Sequence, residues 1–173
     1  MAIDAEHRQL VTAGRTERAV PETLERYLHA RIPLSAALGV RVVHAGPECV
    51  RLTAPFAPNI NHAGSVFGGS AAAVATLAAW GLLHVRLASG GLQAQTVIQR
   101  NRMEYLEPIR ADFETESRFD DVASWGRFLT TLHRRGRARL MLTAQLSCLG
   151  RPAGQFEGAF VALGTSPATP RSL

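Results

Sequence analysis

A polar, glycine-rich loop from Asn59 to Gly69 holds the residues of this chain whose types and spacing best suit chemistry. It leads directly into an apolar run over residues 70–83 that is typical of a buried helix. Glycine lets the backbone approach a ligand closely, and the first turn of a helix carries unbonded N–H groups at the positive end of its dipole. The loop therefore predicts a site for a carbonyl group or an anion, lined by Gly64, Ser65, Phe67, Gly68 and Gly69.

The helix that must position this loop is predicted to be buried on most sides, because residues 70–83 offer no polar face. The apolar run breaks at His84 and Arg86, short of the roughly 20 residues that a membrane span needs. The sequence Ser89-Gly90-Gly91 is typical of a helix end. Upstream, the patterns predict a short helix from Pro21, a helical turn over residues 34–38, and a β-hairpin of residues 40–45 and 48–54.

Beyond the helix, alternation of apolar and polar residues predicts a succession of antiparallel strands. These cover residues 95–106, 112–119, 125–133, 137–148 and 155–163. Residues 21–164 are thus predicted to form one α+β domain, in which the sheet wraps around one long central helix. Residues 1–20 are predicted to be an N-terminal extension, and residues 165–173 a disordered tail.

The composition of the chain is that of a globular protein, with 173 residues, 46% of them hydrophobic and 19% charged. Cys49 and Cys148 lie far apart, with no nearby ligand spacing, so neither a zinc site nor a disulfide framework is indicated. The N-terminus lacks an apolar signal region, and a cytoplasmic location is expected. A net charge of +5 would permit an acidic partner, such as a phosphorylated cofactor or nucleic acid.

The order of elements, together with the loop Asn61-His62-Ala63-Gly64-Ser65-Val66-Phe67-Gly68-Gly69, resembles the hot-dog fold and, within it, the acyl-CoA thioesterases. More narrowly, the Trp80-Gly81 pair and the Tyr105…Pro108 strand ending resemble a bacterial thioesterase-like domain. That domain occurs alone or fused behind an acetyltransferase domain. The resemblance spans residues 34–163 and implies a homodimer or homotetramer with the site at a subunit interface.

The resemblance carries over residue by residue. Asn61 occupies the place of the family's Asn, and Gly68 that of the glycine whose N–H polarises the thioester carbonyl. Two positions depart from the pattern: Phe67 replaces a His, and Thr76 stands where many relatives carry a catalytic carboxylate. The resemblance implies no metal or redox cofactor, and coenzyme A would enter as part of the substrate.

Thioester hydrolysis needs a polarised carbonyl and an activated water. Asn61 or Asn59 could orient the water, His62 could act as a base near its ordinary pKa of about 6.5, and Thr76 could hold a water. Each has a plain structural alternative, because Asn often forms turns with its own backbone, His62 suits a surface loop, and Thr76 suits a core or dimer contact. The absent carboxylate could come instead from either of two residues after the helix: Glu104 or Glu107.

A basic cluster around a glycine, formed by Arg134, Arg135 and Arg137, is predicted to lie at a hairpin. Guanidinium groups match phosphate geometry, so the cluster could clamp the phosphates of coenzyme A. A solvated turn is the commoner explanation of such a run. Nucleic-acid binding is disfavoured, because no aromatic residues are interleaved with the charges.

These observations predict hydrolysis of an acyl-CoA or a related acyl thioester. One alternative is a protein that binds an acyl group without cleaving its thioester, which the loss of a carboxylate at Thr76 favours. A hot-dog dehydratase or hydratase is disfavoured, because residues 70–83 contain neither a His nor an acidic residue.

Overall fold

The computed structural model of the protein describes residues 19–164. The predicted disordered tail, and all but the last two residues of the predicted extension, lie outside the described residues. The helices are α1 (Ala19–Arg31), α2 (Pro33–Ala37), α3 (Gly68–Ser89) and α4 (Val122–Arg135), and a short 3-10 turn covers Ala57–Asn59. The strands are β1 (Arg41–Ala45), β2 (Cys49–Ala54), β3 (Ala94–Tyr105), β4 (Phe113–Arg118), β5 (Arg137–Cys148) and β6 (Arg151–Gly164).

The strands form one antiparallel sheet in the order β1-β2-β4-β5-β6-β3. The inward faces of the sheet pack on α3, whose apolar side chains form the centre of the core. The predicted α+β architecture, a sheet around one long helix with a short N-terminal helix, is confirmed.

The central helix α3 is 22 residues long and is buried along most of its length. By length and composition it could cross a membrane, but 72% of its most apolar stretch is buried inside the protein. It ends at Gly90, where the N–H groups of Gly90, Gly91 and Leu92 bond to the last carbonyls of the helix. The C-terminal end of α3 is therefore closed by its own chain.

The prediction of a strand over residues 125–133 is wrong, because this segment belongs to helix α4. Asp121 caps the first turn by accepting a hydrogen bond from the Ser124 N–H at 2.9 Å. The buried side chains of Phe128 and Leu132 are four residues apart on one helical face. Gly136 then ends the helix with a φ of 64°. The basic cluster consequently lies at a helix C-terminus and the start of β5, and the predicted hairpin at this position is also wrong.

Helix α4 packs over the C-terminal end of α3 through an arginine. The Arg86 guanidinium carbon lies 5.0 Å from the ring centre of Phe119 and 4.8 Å from that of Trp125. Its Nη1 donates to the Pro47 carbonyl at 2.7 Å and to the Phe119 carbonyl at 3.3 Å. One side chain thus joins α3 to the β1–β2 turn, to the end of β4 and to α4.

The longest hairpin of the sheet joins β5 to β6 through a tight turn at Leu149-Gly150. Both turn residues have positive φ angles, 51° for Leu149 and 74° for Gly150, as the twist of a two-residue hairpin requires. Strand β6 also pairs along its other side with β3, the outermost strand at that edge of the sheet. The end of β3 is the point at which the chain returns to the start of α3.

Candidate active site

A cleft of about 440 Å³ lies beside the N-terminus of α3. One wall is the loop and first turn of the helix, represented by Ser65, Val66, Gly68 and Gly69. The other wall is the last residue of β3, Tyr105, and the segment that follows it as far as Ile109. The two walls are joined by a hydrogen bond from the Val66 N–H to the Ile109 carbonyl at 2.8 Å.

Asn61 organises the loop through its side chain. Its Oδ1 accepts from the Ala63 N–H at 2.8 Å and from the Ser65 N–H at 3.2 Å, and its Nδ2 donates to Ser65 Oγ at 3.1 Å. The Asn61 N–H also donates to the Ser65 carbonyl at 2.7 Å. These are the local side-chain-to-backbone bonds expected of Asn in a turn, and they fix the course of the chain into the helix.

The first turn of α3 has no side-chain cap, because its N-cap residue is Phe67. Within the described part of the chain, neither the Gly68 N–H nor the Gly69 N–H donates a hydrogen bond to a protein group. Both glycines line the cleft. Unbonded amides at the positive end of a helix dipole are suited to an oxygen that carries negative charge.

Tyr105 explains why position 68 is a glycine. The Tyr105 hydroxyl donates to the Gly68 carbonyl at 2.8 Å, and a Cβ on residue 68 would lie only 3.1 Å from that hydroxyl oxygen. The ring therefore lies against bare backbone. At position 69 a Cβ would instead meet the Phe67 ring at 2.3 Å, so that side chain would have to move.

Glu107 supplies the carboxylate of the cleft. Among the described residues that line the cleft it is the only acidic one, and its Oε1 lies 3.3 Å from Arg151 Nη2. The N–H groups of Leu106 and Glu107 both donate to the Ala153 carbonyl, at 3.0 and 3.3 Å, which ties this segment to β6. Glu104 lines a different cavity, on the outward face of the sheet. The structure therefore brings Glu107, and not Glu104, to the loop.

The other predicted catalytic side chains lie outside the lining of this cleft. Asn59 is 1% exposed, and its Nδ2 donates to the Leu38 and Pro55 carbonyls at 2.9 and 2.7 Å. Thr76 donates to the Ala72 carbonyl at 2.8 Å, along its own helix. His62 and Phe67 are both exposed. Their catalytic and substrate-binding roles stay predictions.

The basic cluster lies at the far end of the sheet from the cleft within one chain. Arg137 pairs with Leu163, and Leu163 pairs with Gln95 near the start of β3. The cleft is at the other end of β3, beside Tyr105. At about 3.3 Å per residue, this strand separates the two regions by roughly 30 Å. Arg134, Arg135 and Arg137 are all exposed.

Two residues of the site lack a clear signal in the sequence. The sequence pattern marks Tyr105 only as part of a strand ending, and its contact with Gly68 depends on how β3 passes the helix. Arg151 is the first residue of β6 and has no motif around it, and its contact with Glu107 joins residues 44 positions apart. Both contacts follow from strand order, which local patterns do not specify.

Comparisons with known proteins identify the family and the fold of the chain. A family described as "Putative thioesterase (yiiD_Cterm)" matches residues 21–164. A solved structure of a protein of unknown function from Chlorobaculum tepidum superimposes with a TM-score of 0.81 at 25% identity, over 88% of this chain and 99% of that one. A structure named as a putative thioesterase from Shewanella oneidensis gives a TM-score of 0.73 at 26% identity, over 83% of this chain and 96% of that one.

A third structure, named as a probable thioesterase from Pseudomonas aeruginosa, gives a TM-score of 0.72 at 24% identity, over 84% of this chain and 97% of that one. At that identity the structural similarity is evidence for the fold alone. The hot-dog fold and the resemblance to bacterial thioesterase-like domains are thereby confirmed.

Proposed function

The chain belongs to the thioesterase family that matches residues 21–164, and on that premise we propose that it hydrolyses an acyl thioester, with an acyl-CoA as the substrate. The observation that carries the proposal is the cleft at the start of α3, where unbonded backbone amides and the Glu107 carboxylate line one space. These are the two components that the reaction needs, a group that polarises the carbonyl and a group that activates water.

In this proposal the thioester oxygen binds at the Gly68 and Gly69 N–H groups. Negative charge develops on that oxygen when the carbonyl carbon is attacked, and donors fixed by a helix need no reorganisation to stabilise it. Tyr105 holds the Gly68 peptide in place through its hydrogen bond to the carbonyl. Asn61 has a positioning role, because it does not line the cleft itself but bonds Ser65, which does.

Glu107 takes the role of the absent helix carboxylate. It accepts a proton from the attacking water, whose oxygen bonds to the carbonyl carbon. The carbon–sulfur bond then breaks, and the proton passes to the departing thiolate, so that a carboxylic acid and a free thiol are released. Arg151, 3.3 Å from Glu107, orients the carboxylate through an ion pair.

A homodimer is part of the proposal and is supported by strand β3. This strand is an edge of the sheet, and its inward side chains Thr96, Ile98 and Met103 are only half-buried. A long open edge is a template for pairing with another chain. If two copies pair antiparallel along β3, the Tyr105 end of one strand lies beside the Ala94 end of the other. That arrangement brings the second copy's Arg134, Arg135 and Arg137 toward the cleft, where they could bind coenzyme A phosphates.

The proposal further places the protein in the cytoplasm, with no resident cofactor and no membrane or nucleic-acid partner. Within residues 19–164, no group of three or more His, Cys, Asp or Glu side chains is arranged to hold a metal ion.

The test is release of free thiol from a panel of acyl-CoAs of short, medium and long chain, with one aromatic member. Glu107→Gln is expected to lower turnover about 100-fold or more, which is the scale of general base catalysis. Glu104→Gln is the matched variant, since that side chain lies outside the cleft, and it should retain wild-type turnover. Equal turnover for Glu107→Gln and wild type would remove Glu107 from the mechanism. A loss of turnover in Glu104→Gln alone would assign the role of the base to Glu104.

A second candidate function, binding of an acyl thioester without cleavage, is favoured by the central helix. Residues 68–89 contain no Asp or Glu, and the Thr76 hydroxyl is already bonded to the Ala72 carbonyl. The same panel separates the two functions. Saturable binding of an acyl-CoA with no thiol release from any member would establish the binding protein and exclude the hydrolase.

A further inference from the structure

Strand β5 extends past the end of its neighbour β4, and part of its edge therefore has no strand beside it. The pairing of β4 with β5 ends at Glu116, which lies opposite Gln145, whereas β5 begins at Arg137. Residues 137–142 of β5 are paired with β6 on one side only. Helix α4, which connects β4 to β5, lies along the other side of this stretch.

The main-chain groups on this open edge include those of Arg139 and Met141. Successive residues of an antiparallel strand direct their N–H and C=O groups to opposite sides. The Gly136 carbonyl accepts from the last residue of β6 at 2.8 Å, so the even-numbered residues that follow it face β6. The Thr143 carbonyl accepts from Ser117 Oγ of β4 at 2.6 Å, so the odd-numbered residues face the other way.

Arg139 and Met141 therefore direct their N–H and C=O groups toward α4. Within residues 19–164, no hydrogen bond joins α4 or β4 to these four groups. Main-chain groups that are withdrawn from water need a hydrogen-bonding partner. The open edge is thus a row of donors and acceptors suited to a polar ligand.

The edge borders a groove of about 480 Å³ between β5 and α4. One wall carries the exposed side chains of Arg139 and Met141. The other wall is a single face of α4, where Ser124, Arg127 and Thr131 follow one another at helical spacing. Small-molecule sites have volumes of this order and combine apolar surface with a few placed polar groups.

Two guanidinium groups in the groove are available to an anion. Arg127 and Arg139 are exposed and form no ion pair within the described part of the chain. Arg127 Nη2 donates to Ser124 Oγ at 2.7 Å, which holds its side chain along α4. A third guanidinium, that of Arg118, is already bonded to Glu116. An anion in the groove would thus bind between α4 and β5.

The chain closes both ends of the groove. At one end β4 passes into α4 through Asp120 and Asp121, and at the other end α4 turns into β5 at Gly136. A long extended peptide on this edge would collide with one of these connections, so the groove suits a compact ligand. The two carboxylates repel an anion, so the negative part of the ligand would lie toward Arg139.

We propose that this groove binds a nucleoside diphosphate, with its base on the open edge of β5 and its phosphates between Arg127 and Arg139. The edges of nucleobases carry hydrogen-bond donors and acceptors side by side, as the main chain of Arg139 and Met141 does. Guanidinium groups match the oxygens of phosphate.

The proposed site is separate from the catalytic cleft and does not depend on thioester hydrolysis. Phe119 lines the groove and also contacts Arg86, near the C-terminal end of α3. Gly68, at the cleft, is roughly 27 Å from Arg86 along the helix at about 1.5 Å per residue. The nucleotide has two sources, a free nucleotide or the adenosine diphosphate portion of coenzyme A.

Isothermal titration calorimetry with ADP and with GDP tests binding. Arg127→Ala and Arg139→Ala are each expected to weaken the affinity about 10-fold, the scale of one hydrogen bond to a charged group. Arg26→Ala, which removes an exposed arginine of α1, is the matched control and should bind as wild type does. The proposal is overturned if neither nucleotide binds at millimolar concentration, or if both folded groove variants bind with wild-type affinity.

Amide hydrogen exchange, followed by NMR, tests the position of the base. The Arg139 and Met141 amides have no strand partner and should exchange quickly in the free protein, then slowly with ADP present. The Leu140 amide faces β6 and should be protected in both states. Unchanged exchange at Arg139 and Met141 in protein saturated with ADP would contradict the proposed site.

Competition with coenzyme A distinguishes the two sources of the nucleotide. If ADP and coenzyme A displace each other and both bind more weakly to Arg139→Ala, the groove takes the nucleotide portion of coenzyme A. If both ligands bind at once, the groove takes a free nucleotide. Either result supports the site, and thiol release tests the hydrolysis separately.

Discussion

The two ends of the central helix α3 differ in whether their backbone hydrogen-bonding groups have partners. At its C-terminal end the last carbonyls are bonded by Gly90, Gly91 and Leu92, and Arg86 lies against two aromatic rings. At its N-terminal end the first turn has no side-chain cap and faces a cleft. The comparison shows how one buried helix can be anchored at one end while the other keeps backbone donors free for a ligand.

The largest effect on stability is expected at the closed end. Phe128→Ala removes a ring that is 3% exposed and stacks on Trp125, so the free energy of unfolding should fall by about 3–5 kcal/mol. Turnover per folded molecule should stay at the wild-type level, because the cleft is at the other end of α3. Urea unfolding and thiol release on the same preparation measure both. A selective loss of turnover in folded Phe128→Ala would show that the two ends are coupled.

The open end should show the reverse behaviour. Gly68→Ala puts a Cβ at 3.1 Å from the Tyr105 hydroxyl and displaces either the ring or the peptide that binds the thioester oxygen. Turnover is expected to fall about 10- to 100-fold, as small misplacements of catalytic groups do. The matched control is Gly81→Ala on the same helix, where a Cβ makes an ordinary 3.4 Å contact with Leu24. Steady-state kinetics should separate the two variants, and equal losses would refute the role of the Gly68 amide.

A smaller change at the closed end separates charge from shape. Arg86→Lys keeps the positive charge near the helix C-terminus but loses the planar group that lies against Phe119 and Trp125, and it cannot reproduce both carbonyl bonds. The free energy of unfolding should fall by about 1–2 kcal/mol. Arg86→Met, which also removes the charge, should cost more. Equal unfolding midpoints for Arg86→Lys and wild type would mean that the positive charge alone accounts for the stabilisation by Arg86.

The smallest effect is a pH dependence at the cap of α4. Hydrogen bonds from Ser124 lower the pKa of Asp121 below its ordinary 3.8. A carboxyl whose pKa is lowered by folding adds stability above its unfolded pKa, and this is lost as pH falls through the folded pKa. Asp121→Asn should therefore melt slightly below wild type at pH 7, and the difference should shrink toward pH 3. A difference that is constant across this range would contradict the assignment.

Much of the fold follows from local patterns in the sequence. The apolar run before His84, the Gly46-Pro47 turn and the alternation within β4 and β5 each specify their own element. Helix α4 was missed because Trp125, Phe128, Thr130 and Thr131 have high β-propensity. The helical signals were present in the sequence, as the Asp121…Ser124 cap and the spacing of Phe128 and Leu132.

The site was less predictable, because its parts come from distant elements. The glycine-rich loop predicts the start of α3. The choice between Glu104 and Glu107 as the carboxylate of the cleft depends instead on where each residue lies relative to the end of β3. Glu104 is still in the strand and lines the cavity on the outward face of the sheet, whereas Glu107 lies past the strand end, where the chain turns against β6. The two asparagines of the loop could not be assigned without their hydrogen bonds.

The tight β5–β6 turn also bears on the order in which the protein folds. Hairpin strands adjacent in sequence close only a short loop, whereas β3 reaches β6 across β4, α4 and β5 and must close a long one. Long-range pairing is slow for this reason. The hairpin is therefore expected to form early and β3 to dock late, so the wall of the cleft that carries Tyr105 and Glu107 is among the last parts of the molecule to be completed.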